Sequence, residues 1–124
     1  MKTILVVEDF AAVQRFLRET LESKGYRTIG AENAKMAYDM LINLDIQPGL
    51  VLPDYHMPEG TGLDLAKQIK ANPDLAKIPV IYLTTETNPE IIKTASETGF
   101  TAWIKKPYRP DVLLSEVEKV FNGR

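Results

Sequence analysis

Four short apolar runs in this chain each end in side chains able to do chemistry. Ile4–Val7 runs into Glu8 and Asp9, Leu50–Leu52 reaches Asp54 past Pro53, Val80–Leu83 leads to Thr84 and Thr85, and Ala102–Ile104 leads to Lys105 and Lys106. If these runs are strands of one parallel sheet, the residues at their carboxyl ends surround a single crevice, where open α/β sheets bind ligands. Three carboxylates, a hydroxyl and an ammonium would then meet. Crowded carboxylates repel one another, and in a partly buried site protonation or a bound cation relieves them. Oxygen ligands favour a hard ion. With few protein ligands and room for water, Mg²⁺ is the natural choice, since it prefers one or two carboxylates plus a phosphate. Such a site suits phosphoryl transfer, in which an aspartate is the nucleophile while a metal, a lysine and a hydroxyl share the charge on the transferred oxygens. Asp54 is the candidate nucleophile, because it stands alone on a central strand end between the paired acids and the Thr and Lys.

The elements that must position these residues are legible in the hydrophobic pattern. The four runs and a weaker alternating one at Tyr26–Ala31 have strand length. Between them lie amphipathic stretches: Val13, Phe16, Leu17 and Leu21 are expected on one helical face, and Leu113, Val117, Val120 and Phe121 on another. Gly25 and Gly99 sit where helices would end, and Asn33 and Pro110 where helices would start. Five strands alternating with five helices predict an α/β fold, a five-stranded parallel sheet with helices on both faces, because right-handed helical crossovers join parallel strands.

Composition narrows the class. The chain has 124 residues, which fits one domain spanning 1–124, and its last helix is expected to end near Asn122 with no room for an output domain. Fifteen basic and seventeen acidic residues give a net charge of −2, which offers no electrostatic case for nucleic acid or an anionic membrane. No cysteine is present and His56 is the single histidine, so disulfides and thiolate or histidine-rich metal sites are excluded. The apolar run at the start, Ile4–Val7, is too short for a signal peptide or a membrane span, and a cytoplasmic location is expected.

Over its whole length the chain resembles the receiver domain of two-component response regulators, the CheY-like superfamily, of the single-domain type. The resemblance rests on the acidic pair in ILVVED, the aspartate in LVLPDYHMPEGTGLDL, the hydroxyl in PVIYLTTE and the lysine in WIKKPYRP, in the family's order and near its spacing. It implies a flavodoxin-like sheet of strand order 2-1-3-4-5. It implies that Glu8, Asp9 and Asp54 bind Mg²⁺ together with the backbone carbonyl of His56, that Asp54 is phosphorylated, and that Lys106 contacts the phosphoryl group. Thr84 resembles the switch hydroxyl and Trp103 its aromatic partner. The implied donor is a histidine kinase or histidine phosphotransfer protein. The implied output is a downstream protein met by the face of the fourth helix, fifth strand and fifth helix, about Pro89 to Phe121, on a monomer or weak dimer. Phosphorylation and dephosphorylation would be self-catalysed, without turnover as an enzyme. Beside the pocket mouth, His56 and Glu86 are expected to tune access of water to the acyl phosphate.

This sequence departs from the family at three places: Trp103 stands where a smaller aromatic is usual, Pro53 precedes the phosphoacceptor, and Gly49 takes a position that is often aspartate. Trp103 and Pro53 keep open an alternative, a degenerate receiver acting as a constitutive protein-binding module. Two other classes fit poorly. Phosphatases of the haloacid dehalogenase type carry a second aspartate two residues after the nucleophile, where this chain has His56, and a flavodoxin-like cofactor binder needs a Ser/Thr/Gly-rich loop where this chain reads EDFAAVQ. Simpler roles exist for single residues: Asp9 as a helix cap, Asp54 as a turn residue, Lys105 as a solvated side chain, and Trp103, Tyr108 and Phe100 as packing or partner-surface residues.

Overall fold

The computed structural model describes residues 2–43, 47–54, 62–84, 88–97, 102–106 and 109–122, the side chains of 62, 63 and 95 excepted. In chain order the elements are β1 (Thr3–Val7), α1 (Ala11–Glu22), β2 (Arg27–Ala31), α2 (Ala34–Asn43), β3 (Leu50–Pro53), α3 (Gly62–Ala71), β4 (Ile81–Thr84), α4 (Pro89–Ser96), β5 (Ala102–Lys105) and α5 (Pro110–Asn122). Every strand pairing is parallel. β1 lies between β2 and β3 in a three-stranded sheet, and β4 pairs with β5 in a two-stranded one.

Pro53 explains why the sheet divides there. Along β3, backbone amides point alternately to the two neighbours: Val51 N–H donates to the Pro79 carbonyl on the β4 side at 3.0 Å, and Asp54 N–H donates to the Val7 carbonyl of β1 at 3.0 Å. The N–H that Pro53 lacks therefore belongs on the β4 side. Contact between β3 and β4 is accordingly reduced to two isolated parallel bridges, Val51 with Val80 and Asp54 with Leu83, on either side of the missing bond. The β1 ladder is untouched, and Pro53 pairs in register with Val7.

Strands covered on both faces need apolar side chains in both directions. Leu5, Val7, Val51 and Tyr82 point to one core with Ala37, Leu41, Leu65 and Ile69 of α2 and α3; Ile4, Val6, Leu50, Leu52, Ile81 and Leu83 point to another with Leu17, Leu21, Leu113, Val117 and Val120 of α1 and α5. Phe16 does not join them. It is 51 % exposed, because the buried stripe of α1 is the i, i+4, i+8 row of Val13, Leu17 and Leu21, and Phe16 falls beside that row. Asn33 starts α2 by accepting the Met36 N–H on its side-chain oxygen, and Asn88 does the same for Glu90 at the start of α4. Past α1 the chain turns at Gly25, whose φ of +91° favours glycine. The expected helix-ending Gly99 lies outside the described residues, as do Phe100 and Tyr108.

Gly49 has a packing reason to be glycine. A Cβ there would lie 2.6 Å from the Phe121 ring, which stacks on Tyr26 at a centroid distance of 5.4 Å and lies under the Lys2 ammonium at 5.5 Å. The end of α5 is thus pinned at the amino end of the sheet, far along each strand from the carboxyl ends. Gly49→Ala is expected to displace Phe121 and destabilise the fold by about 1–3 kcal/mol, seen as a lower urea midpoint with an unchanged slope.

Candidate functional site

Glu8 directly follows β1, Asp54 directly follows β3, and these strands are neighbours, so their register brings the two carboxylates together. Asp9 completes the group: one carboxylate oxygen from each of Glu8, Asp9 and Asp54 lies within 4.8 Å of the others. The N-cap position of α1 is Phe10, with no side-chain cap, so Asp9 is not its capping residue.

Glu8 is 1 % exposed and fixed on several sides. Its N–H donates to the Ala31 carbonyl at 3.0 Å, its carbonyl accepts from the Gln14 side-chain amide at 3.0 Å, and its Oε2 accepts the Phe10 N–H at 3.1 Å. Its Oε1 has no hydrogen-bond donor among the described residues. Gln14 drew no notice in the sequence, since no spacing rule links it to the acidic pair.

The cation comes from the far end of the chain. Lys106 Nζ lies 2.9 Å from Asp54 Oδ2 and 3.5 Å from Glu8 Oε1, while Lys105 is exposed. The Lys106 backbone N–H donates to the Thr84 carbonyl at 2.7 Å, which ties the residue after β5 to the end of β4. Thr84 is fully buried and Asp54 is 9 % exposed. Trp103 is half-buried and meets Tyr82 edge to face, with centroids 5.4 Å apart. His56 and Glu86, the expected carbonyl ligand and rate-tuning residues, lie outside the described residues, as does Thr85.

The donor set fits a hard divalent ion. On an Mg²⁺ octahedron with bonds of roughly 2.1 Å, adjacent ligands stand about 3.0 Å apart and opposite ones about 4.2 Å, so three oxygens within 4.8 Å of one another could converge on one ion by side-chain adjustment. Among the described residues, one ammonium faces three carboxylates, and a buried Glu8 oxygen has no hydrogen-bond donor.

The family model described as the response regulator receiver domain matches residues 4–118. Chemotaxis protein CheY1 of Helicobacter pylori is 35 % identical over 119 residues, which is 94 % of each chain. The signal receiver domain of a signal transduction histidine kinase from Syntrophus aciditrophicus superposes with a TM-score of 0.91 at 35 % identity, covering 99 % of this chain and 92 % of that one. A Mn²⁺-bound form of response regulator Rcp1 superposes with a TM-score of 0.82 at 28 % identity, covering 98 % and 94 %. The chain belongs to the response regulator receiver domain family, with a CheY-like fold. Receiver domains are signalling proteins of two-component systems rather than classical enzymes, and aspartate phosphorylation and Mg²⁺ binding at an acidic pocket are general features of that family.

Burial, more than anything else, pushes the Glu8 carboxyl up to about 7 from its ordinary 4.5; the Phe10 N–H opposes this, the Asp9 carboxyl and the Asp54 charge add to it, and Lys106 opposes it. A carboxyl whose folded value is raised makes the folded state bind an extra proton between the two values. Without metal, that contribution to stability is full below about pH 4.5 and lost as pH rises to about 7. Urea unfolding in chelator from pH 4.5 to 7.5 is expected to show a steeper decline for the wild type than for Glu8→Gln. Equal slopes would contradict this account of Glu8.

Proposed function

We propose that Asp54 accepts a phosphoryl group from a histidine kinase or histidine phosphotransfer protein in a Mg²⁺-dependent reaction catalysed by this chain's own site. The observation that carries the reading is the contact of Lys106 Nζ with Asp54 Oδ2 at 2.9 Å, inside a group whose other members are Glu8 and Asp9. A carboxylate oxygen of Asp54 would form the new bond to phosphorus while the phosphorus–nitrogen bond of the donor histidine breaks and its imidazole keeps the electron pair. Lys106 would pair with the phosphoryl oxygens, and the Thr84 hydroxyl would donate to one of them. Mg²⁺, held by Glu8, Asp9, Asp54 and the backbone carbonyl of His56, would offset the charge that gathers on those oxygens. Water would later cleave the acyl phosphate, at a rate set by the side chains of His56 and Glu86.

In this reading the two sheets act as one, in the order 2-1-3-4-5, and the isolated bridges at Val51 and Asp54 support the junction. Output would pass through α4, β5 and α5, where Trp103, Lys105, Arg109, Val112 and Glu116 line a groove of about 480 Å³. Trp103 would change its packing on Tyr82 as Thr84 engages the phosphoryl group. Among the described residues no helix is long and apolar enough to cross a membrane. The proposed partnership with a histidine kinase is what argues for a cytoplasmic location.

Incubation with acetyl phosphate and Mg²⁺ should label the wild type, and chelator or Asp54→Asn should abolish labelling. Lys106→Ala should slow labelling about 100-fold, and Lys105→Ala should leave it unchanged. Failure of the wild type to label with any phosphodonor would favour the constitutive binding module instead. Fluorescence of Trp103, the single tryptophan, should change on phosphorylation in the wild type and stay constant in Asp54→Asn.

A further inference from the structure

The side-chain amide of Gln14 reaches out of the first turns of α1 and makes two hydrogen bonds with its one nitrogen, to the Glu8 carbonyl at 3.0 Å and to the Ala31 carbonyl at 3.2 Å. An amide NH₂ has two hydrogens, so both bonds form at once. The Glu8 carbonyl belongs to the peptide that joins Glu8 to Asp9. That peptide is planar, so holding its oxygen fixes the plane from which two successive acidic side chains depart. The preceding peptide is anchored to the same place, because Glu8 N–H also donates to Ala31. Gln14 thereby bridges the ends of β1 and β2 beneath the acidic pair.

The residue opposite is suited to this. A methyl group on Gly30 would stand 2.0 Å from Gln14 Oε1 and 2.8 Å from its Cδ, so the amide occupies the space that any other side chain in β2 would fill. Nothing in strand geometry asks for glycine here, and glycine weakens a strand.

We propose that Gln14, seated on Gly30, is a positioning residue that holds the Glu8–Asp9 peptide in the orientation from which both acids reach one divalent ion. It deepens the metal site proposed above and rests on that reading. A group that orients metal ligands sets affinity without touching the metal.

Calorimetric titration of Mg²⁺ into the whole chain tests it, with thermal unfolding in chelator run alongside. Gln14→Ala and Gly30→Ala should each weaken Mg²⁺ binding by about tenfold, measured well below their unfolding temperatures. The double variant should bind like Gln14→Ala alone, because the methyl at residue 30 then meets no amide. If Gln14→Ala does not fold, Gln14→Met keeps the length, lacks the donor and takes its place. Wild-type affinity in the Gln14 variant, with or without a lower unfolding temperature, overturns the inference and leaves the metal site standing. So do losses that multiply in the double variant. A wild type that takes up no Mg²⁺ overturns both.

Discussion

Among the described residues, three carboxylates meet one ammonium at the carboxyl ends of the strands, and that imbalance shapes the rest of the structure. Lys106 cannot neutralise them all: its Nζ is 2.9 Å from Asp54 and 3.5 Å from Glu8, and the buried Oε1 of Glu8 has no donor among the described residues. Burial is the largest cause that raises the Glu8 carboxyl to about 7, and the neighbouring acids Asp9 and Asp54 add to it. The backbone resists the obvious relaxation, in which the acids would swing apart. Glu8 is fixed through its N–H, its carbonyl and its Oε2, each bonded to a different group. Protonation of Glu8 relieves part of that crowding, and a divalent ion shared by the three acids is the relief proposed above.

The fold supplies this constraint through strand register. β1 and β3 are parallel neighbours, so the residues that follow them emerge side by side, and the Asp54 N–H still donates to Val7 although Pro53 stands before it. The alternation of amide directions decides that the proline costs a bond toward β4 and none toward β1. The lysine arrives by a different route, from 52 residues further along the chain, and its backbone is tied to Thr84 before its side chain crosses to Asp54. The site thus depends on contacts distant in sequence, and it can form only when both sheets are in place.

Much of this was legible because a buried strand announces its own end: the apolar run stops, and whatever polar residue follows lies at the carboxyl edge. Glu8, Asp54 and Thr84 could be located in that way, whereas the fifth run led to Lys105 and Lys106 alike and the resemblance singled out Lys106. Element boundaries moved by a residue where pairing rather than hydropathy decided them, as at Pro53, apolar by type and a strand member by register. Phe16 was misplaced because hydropathy gives a helix a wide apolar face, while contact with the sheet selects a single row. Gln14 and Gly30 were invisible. Their relation exists only once α1 packs on β2, and neither a polar residue on a helix nor a glycine in a strand signals its partner.

The two adjacent lysines show how one strand can serve two sides. Successive side chains of a strand point to opposite faces, so Trp103 and Lys105 go one way along β5, and Ile104 goes the other, into the core with Leu83 and Leu113. Trp103, Ile104 and Lys105 all line the groove beside α5, and Trp103 also packs on Tyr82. Lys106, one residue past the strand, turns instead to Asp54. A single peptide bond therefore separates a side chain bonded to the acidic pocket from one that faces the outer groove. Any shift of the Lys106 backbone against Thr84 must move β5 relative to β4, because the 2.7 Å bond between them closes that end of the pair. Trp103, in register with Tyr82, lies on the strand that such a shift would carry.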